Sequence, residues 1–291
     1  MKYVCLFFLC LAWASVFIFT KIADQYVSPM FVVACRGVFA ALFLFLVVIV
    51  SKKKINLNIT SLQHVLLLFS SFLVGYLWFS IAYSENMLPA NVASLMPAAA
   101  PVFTWLISLV LGLKRFRWTN ALGIIVAITG LVVALDIGHA PDRHIVVSAL
   151  VLMSGFFALS ANALLVQRFF PSQDPLILTL YSVSYAAVGA VIYLLLTTTY
   201  SIPAIPVWGW LNLVAAGVFS TGVGYMLYFW LVRNVGAQFT SLFGYFVPAF
   251  GVILSALLLG DHFTPVKFYG LLTVLIGVFL VNSVPSSSQK S

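Results

Sequence analysis

Ten apolar runs, each about long enough to cross a bilayer as a helix, follow one another along this chain, and the loops between them reach about a dozen residues at most. They fall at about 3–21, 29–50, 62–84, 90–113, 119–136, 145–167, 175–197, 207–231, 238–259 and 266–284. Lipid offers no partner for a backbone N–H or C=O, so a chain that crosses it must be helical or a closed barrel. A barrel would appear as alternating segments of roughly ten residues, and nothing here alternates over that length. Composition agrees: 63% of residues are hydrophobic and 7% charged, against roughly a quarter charged in soluble domains. The expected fold is an all-α integral membrane protein of ten transmembrane helices.

The chain is also written twice. Ala90, Ser94, Leu95, Pro101, Phe103 and Ser108 return 147 residues later as Ala237, Ser241, Leu242, Pro248, Phe250 and Ser255. Gly75, Gly123 and Gly130 return as Gly222, Gly270 and Gly277 at the same offset. Five helices per copy is an odd number, so the second copy must enter the membrane from the opposite side. Residues 1–140 and 141–284 are thus expected to be two inverted five-helix repeats, with 285–291 a disordered serine-rich tail. Such repeats characterise secondary transporters, whose sites lie near the bilayer midplane where the halves meet.

The first run follows Lys2 and contains Ala12-Trp13-Ala14, features shared with a secretory signal. More membrane follows it, so it is read as a retained helix. Cys5, Cys10 and Cys35 lie in apolar runs without ligand spacing, as small buried hydrophobes do. With the N-terminus inside, the inner segments hold Lys2, Lys52, Lys53, Lys54, Lys114, Arg115, Arg117, Arg168, Arg233 and Lys290, and the outer ones only Lys21, Arg143 and Lys267. Both termini are therefore expected in the cytoplasm, with the chain in the cell inner membrane. The net charge of +8 is a topology signal with affinity for anionic lipid; no nucleic-acid partner is expected.

Polar residues on the fourth helix recur at steps of three and four: Asn91, Ser94, Ala98, Pro101, Trp105 and Ser108. The ninth carries Gln238, Ser241, Tyr245, Pro248, Val252 and Ser255 on the matching face. A proline in mid-span leaves the carbonyl four residues earlier without its helical donor. Such a face either lines a central cavity or packs tightly through small residues and hydroxyls. The third and eighth helices add Tyr76, Trp78, Thr221 and Tyr225, for which cavity lining and core packing are both open, while Tyr83 and Trp230 read as interfacial anchors. Ser15 and Asn162, paired across the offset, read as interhelical hydrogen-bonding groups. Arg36 is the charge well inside a span, a functional candidate by default, placed to snorkel outward, to meet Glu85 or Asp24, or to touch a solute.

Asp24, Glu85, Asp136, Asp142, Asp174 and Asp261 all fall at helix ends or in loops, as do His64, His139, His144 and His262. A midplane carboxylate relay is disfavoured, although Glu85 or Asp261 could couple protons from the periphery. No GxxxxGK[ST] run and no convergent acid, base or nucleophile is present, so neither an enzyme nor a cofactor nor a metal is expected.

Trp13-Ala14-Ser15-Val16-Phe17 followed by Lys21, Pro29 and Arg36, with the patterns ending at Pro101 and Pro248 and the glycines after them, resembles the EamA branch of the drug/metabolite transporter superfamily over the whole chain. The resemblance implies a basket-like bundle with a central cavity and movement of small metabolites such as amino acids. Where that family often ends its fourth and ninth helices with Gly-Glu, this chain has Leu113-Lys114 and Gly260-Asp261. The expected activity is secondary active or facilitative transport by alternating access, with a neutral, zwitterionic or amphipathic solute and the lipid bilayer as partners, in a monomer or homodimer. A non-transporting scaffold and a small-solute channel are the alternatives.

Overall fold

The computed structural model describes residues 1–55, 57, 59–114, 116, 118–134, 143–197, 204–260 and 264–282. Arg115, Arg117, Asp136, His139, Asp142, Asp261, His262, Lys290 and the tail 285–291 lie outside the described residues. Among those described there is no strand, and the helices are α1 (Lys2–Ala23), α2 (Pro29–Val50), α3 (Ser61–Glu85), α4 (Ala90–Val110), α5 (Trp118–Ala134), α6 (Arg143–Phe169), α7 (Pro175–Thr197), α8 (Val207–Asn234), α9 (Ala237–Leu259) and α10 (Pro265–Asn282). Eight are long and apolar enough to cross a membrane, and α5 and α10 are shorter apolar helices.

Local signals in the sequence set the helix ends. Ser28 accepts from the Phe31 N–H ahead of Pro29 in the first turn of α2, and Thr60 and Gln63 form a reciprocal capping box at the start of α3. Asp174 Oδ1 accepts from the Leu176 and Ile177 N–H groups to open α7. Gly112 closes α4 and Gly260 closes α9, both at φ +70°, the left-handed geometry that lets a glycine satisfy the last carbonyls. Relative to the 147-residue offset these two glycines differ by one position.

Contacts at the two ends fix the path. At one end Lys21 Nζ donates to the carbonyls of Glu85 and Leu88, Gly209 packs against Tyr26 and Ile205, and Ser84 Oγ donates to Ser148 O. At the other, Lys53 pairs with Asp174, Gln63 Nε2 donates to Phe169 O, Lys114 Nζ donates to Gln238 Oε1 and the Ala237 N–H donates to Gln167 Oε1. Successive loops thus alternate between ends. The α1–α2 loop and its counterpart, the α6–α7 loop, lie at opposite ends, so the halves are inverted relative to each other.

The packing repeats this symmetry. α1 packs on α8 and α9, and α6 on α3 and α4; α2 meets α7 and α8, and α7 meets α2 and α3; α5 pairs with α10. Exchanging every helix with the one five later reproduces the list. The relation reaches single atoms: a carbon added at Gly130 would sit 2.5 Å from Val274 N and 2.8 Å from Gly270 O, and one added at Gly277 2.3 Å from Ala127 N and 2.6 Å from Gly123 O. Only glycine permits this backbone contact, which is how membrane helices gain attraction without a hydrophobic driving force between them. Outward faces such as Leu42, Phe45, Leu46 and Ile49 on α2 are exposed and apolar, as lipid requires.

Three helices are interrupted. α4 runs as a turn over Ala90–Ala93, a tighter segment over Met96–Ala99, then α-helix from Ala100; α9 breaks at Ser241 and Leu242 before Phe243. α8 widens into a π-helical stretch over Ala216–Val223, a form that concentrates at functional sites. The α4 and α9 breaks lie at Ser94 and Ser241, about two turns before Pro101 and Pro248 rather than at those prolines.

Candidate solute-binding site

Where the halves meet, Trp13, Phe17, Arg36, Trp78, Pro97 and Tyr225 line a small chamber, completed by Val16, Leu77, Ile81, Phe156 and Val247. The space left between them is about 20 Å³, room for about one water, so the bundle is closed around its centre. The aromatic walls touch: Trp13 lies with ring centroids 5.7 Å from Tyr225 and 4.7 Å from Phe243, and Trp78 5.9 Å from Tyr225. Trp78 and Tyr225 are counterparts across the 147-residue offset, brought edge to face by the two-fold relation.

Arg36 dominates the chamber's chemistry. It is 2% exposed, its Nε donates to Thr221 Oγ1 at 3.1 Å, and its guanidinium carbon stands 5.6 Å over the Trp78 ring, a cation–π contact. Thr221 sits in the π-helical stretch of α8 and donates in turn to Ala216 O. Gly217 lets that stretch come down on Arg36; a carbon added there would lie 2.9 Å from Arg36 O. Among the described residues Arg36 Nη1, Trp78 Nε1 and Tyr225 Oη have no hydrogen-bond partner. The last two are neighbours that interact without reaching hydrogen-bond geometry. Buried donors are nearly always paired, and these three all line the one chamber.

A second, smaller space of about 10 Å³ lies among Ala100, Thr104, Leu159, Ser160, Ala163, Tyr228, Ala237, Ser241 and Phe243. Its Ser160, Ala163, Tyr228 and Ala100 are the 147-residue counterparts of Trp13, Val16, Ile81 and Val247 in the first. The two spaces are therefore related by the same two-fold. Their chemistry differs, because Arg36 has Val183 as its counterpart and Trp13 has Ser160.

Of the sequence-derived candidates, Trp78, Tyr225 and Arg36 line the first chamber, Thr221 holds Arg36, and Ser241 lines the second space. Ser94 donates to Asn91 O and packs against Gly251 where α4 crosses α9; Pro101 packs against Gly244 at the same crossing. Asn91, Trp105 and Pro248 are buried away from both spaces. Gln238 accepts from Lys114, Tyr245 is half-buried, and Tyr76 Oη bonds Ser154 Oγ at 2.7 Å on the α3–α6 face. Ser15 bonds Ser220 of α8, and Asn162 bonds Ser70 of α3, matched bridges between the halves. Sequence reasoning missed Trp13, Phe17 and Pro97; the spacing of Trp13 and Phe17 on one face of α1, and Pro97 one turn before Pro101, were the available signals.

Beside the chamber lies a charged cluster of Lys21, Asp24, Arg36 and Glu85, the members acting on one another electrostatically. Glu85, at a helix end, is 0% exposed, so its position there does not make it peripheral to the protein. None of these charges forms an ion pair within 4 Å among the described residues; Lys53 and Asp174 do.

Comparison with known proteins adds the family context. The model of the EamA-like transporter family matches residues 1–135 and 146–283. An uncharacterized transporter of Archaeoglobus fulgidus is 26% identical over 273 residues, covering 92% of this chain and 94% of its own. A probable terminal-alkyne amino-acid exporter of Streptantibioticus cattleyicolor is 26% identical over 203 residues, 69% and 66% of the two chains, and an uncharacterized transporter of Bacillus subtilis 24% over 282 residues, 93% and 90%. A solved crystal structure shares the fold at a TM-score of 0.73 and 15% identity, over 97% of this chain and 96% of that one.

Proposed function

This chain belongs to the EamA-like transporter family, and from that membership we propose that it carries a small amphipathic, amino-acid-like solute across the cytoplasmic membrane by alternating access. The observation that carries this reading is the chamber at the junction of the halves: three unpaired buried donors, one of them on a guanidinium, on an aromatic and aliphatic wall. A guanidinium edge receives a carboxylate in a fixed plane, while Trp13, Phe17, Leu77 and Phe156 suit an apolar side chain. The Streptantibioticus relative is named for exporting an amino acid, which agrees with that pairing.

Residues 1–140 and 141–284 act as the two exchanging repeats, with both termini cytoplasmic, so the end closed by Lys21 is outer and the end closed by Gln167, Lys114 and Gln238 is inner. Closure at both ends corresponds to an occluded intermediate; opening either set of latches exposes one of the two symmetry-related spaces. Counterflow of labelled leucine and phenylalanine into proteoliposomes tests the reading, with the matching decarboxylated amines as controls. Saturable counterflow of the amino acids and exclusion of the amines is expected. A charge-assisted contact contributes about 1.5–3 kcal/mol, so Arg36→Gln should weaken apparent affinity by roughly 10- to 100-fold. Flux without saturation or counterflow, or amines carried as well as acids, overturns the proposal.

A further inference from the structure

Glu85 is the fully buried carboxylate among the described residues, and neither of its oxygens accepts a hydrogen bond there. Asp24, one residue past the end of α1, is likewise without a hydrogen-bond partner at either oxygen, and the two acids repel each other. Their cations are committed elsewhere. Lys21 Nζ is held by the carbonyls of Glu85 and Leu88, and Arg36 by Thr221 and the Trp78 ring. A charged carboxylate stripped of water and of donors is unfavourable by several kcal/mol, and two facing each other share one proton more readily than they hold two charges.

We propose that Asp24 and Glu85 form a proton-binding pair that couples movement of the solute to movement of a proton through Arg36. Protonation converts one carboxylate to a carboxylic acid, with no other bond made or broken. It leaves Lys21 and Arg36 facing a single negative charge, so the cluster gains a net positive charge next to the chamber. A solute carboxylate on the open edge of Arg36 then restores neutrality. The two ligands favour each other's binding, and by linkage the effect is reciprocal. Proton and carboxylate solute therefore travel in the same direction. The other titratable group acting on this cluster is Tyr225 of α8, through Arg36. Burial pushes the Asp24 carboxyl up to about 7 against the pull of Lys21 and Arg36, within the range where a cell's proton gradient operates.

The sign of the coupling rests on the Arg36 reading above; the proton site does not. Infrared difference spectra of the solute-free protein, titrated from alkaline to acid pH, should gain a protonated-carboxyl band near pH 7. In the isosteric variant Asp24→Asn that band should be lost, since the titrating group is gone, and in Glu85→Gln it should move down, since the facing carboxylate that shares the proton is gone. A wild-type spectrum with no such band above about pH 5, where ordinary carboxyls have ionised, overturns the proposal, as does a band unchanged in both variants. In proteoliposomes an inward-directed proton gradient should drive accumulation of labelled leucine, and Glu85→Gln should abolish accumulation while leucine–leucine exchange continues. Gradient-driven accumulation persisting in both variants also overturns it. Absence of leucine flux at any pH instead overturns the solute class, and the infrared titration then decides the pair alone.

Discussion

Gly251→Ala tests the α4–α9 crossing at atomic resolution. A carbon added there would lie 2.3 Å from Ser94 Cβ and 2.5 Å from Ser94 Oγ, and the next atom, Ser94 Cα, stands at 3.7 Å. Carbon atoms settle at about 3.5–4.0 Å, so the crossing must open by roughly 1 Å or Ser94 must move, and Cβ cannot rotate away. Overpacking of this kind costs about 1–3 kcal/mol. Both offending atoms belong to one side chain, so Ser94→Gly should remove the conflict. By itself Ser94→Gly should cost about 1 kcal/mol, through backbone entropy and loss of the hydroxyl's bond to Asn91 O. Adding Gly251→Ala to it should cost little more, giving a coupling energy of about 1–3 kcal/mol. Ser94→Ala keeps the carbon at 2.3 Å and should not rescue. Equilibrium unfolding in mixed micelles of the wild type, the three single variants and the two double variants measures these differences. If Ser94→Ala rescues as well as Ser94→Gly, or if no coupling appears, α4 and α9 do not cross as described.

Two further outcomes follow from other contacts. Gly130→Ala and Gly277→Ala each drive a methyl into backbone of the facing helix, so each should lower stability in the same unfolding assay by about 1–3 kcal/mol and by similar amounts; a harmless change at either position contradicts the reciprocal contact. The Asp24 carboxyl is raised by burial to about 7 from an ordinary 3.8, so between those pH values the native protein holds a proton that the unfolded chain has released. Stability should therefore fall as pH rises from roughly 4 to roughly 7 and then level off, and a melting series in detergent should show a flatter slope for Asp24→Asn.

The ten spans and their inversion were legible because both follow from coarse signals, the length of apolar runs and an odd count per repeat. Helix caps at Ser28, Thr60 and Asp174 fall where the local residues dictate. The interior was less legible. Pro101 and Pro248 pointed to the right helices, yet the breaks fall at Ser94 and Ser241, a turn beyond the carbonyls those prolines leave unpaired; in α4 Pro97 removes the bond to the Ala93 carbonyl, and in α9 Gly244 stands at the matching position. The π-helical stretch of α8 carries no sequence mark, since Ala216–Val223 reads as ordinary small-residue helix; it arises where Gly217 and Gly222 press against α2. Glu85 reads as a boundary residue from its position at the end of an apolar run, and its burial depends on neighbours at α1, α2 and α4 that only the fold assembles. Tyr76 and Trp78, two residues apart on α3, were equal candidates in sequence; helix geometry sends one toward α6 and the other into the chamber.

The bare-backbone contact between α5 and α10 sits apart from both interior spaces and is its own mirror across the duplication. A rotation that swaps the roles of the two halves leaves such a contact unmoved, as a seesaw leaves its fulcrum. These two helices, the shortest of the ten among the described residues, would then serve as a stationary keel. Tying them covalently would leave turnover intact, whereas tying α1 to the α3–α4 turn across the Lys21 latch would stop it.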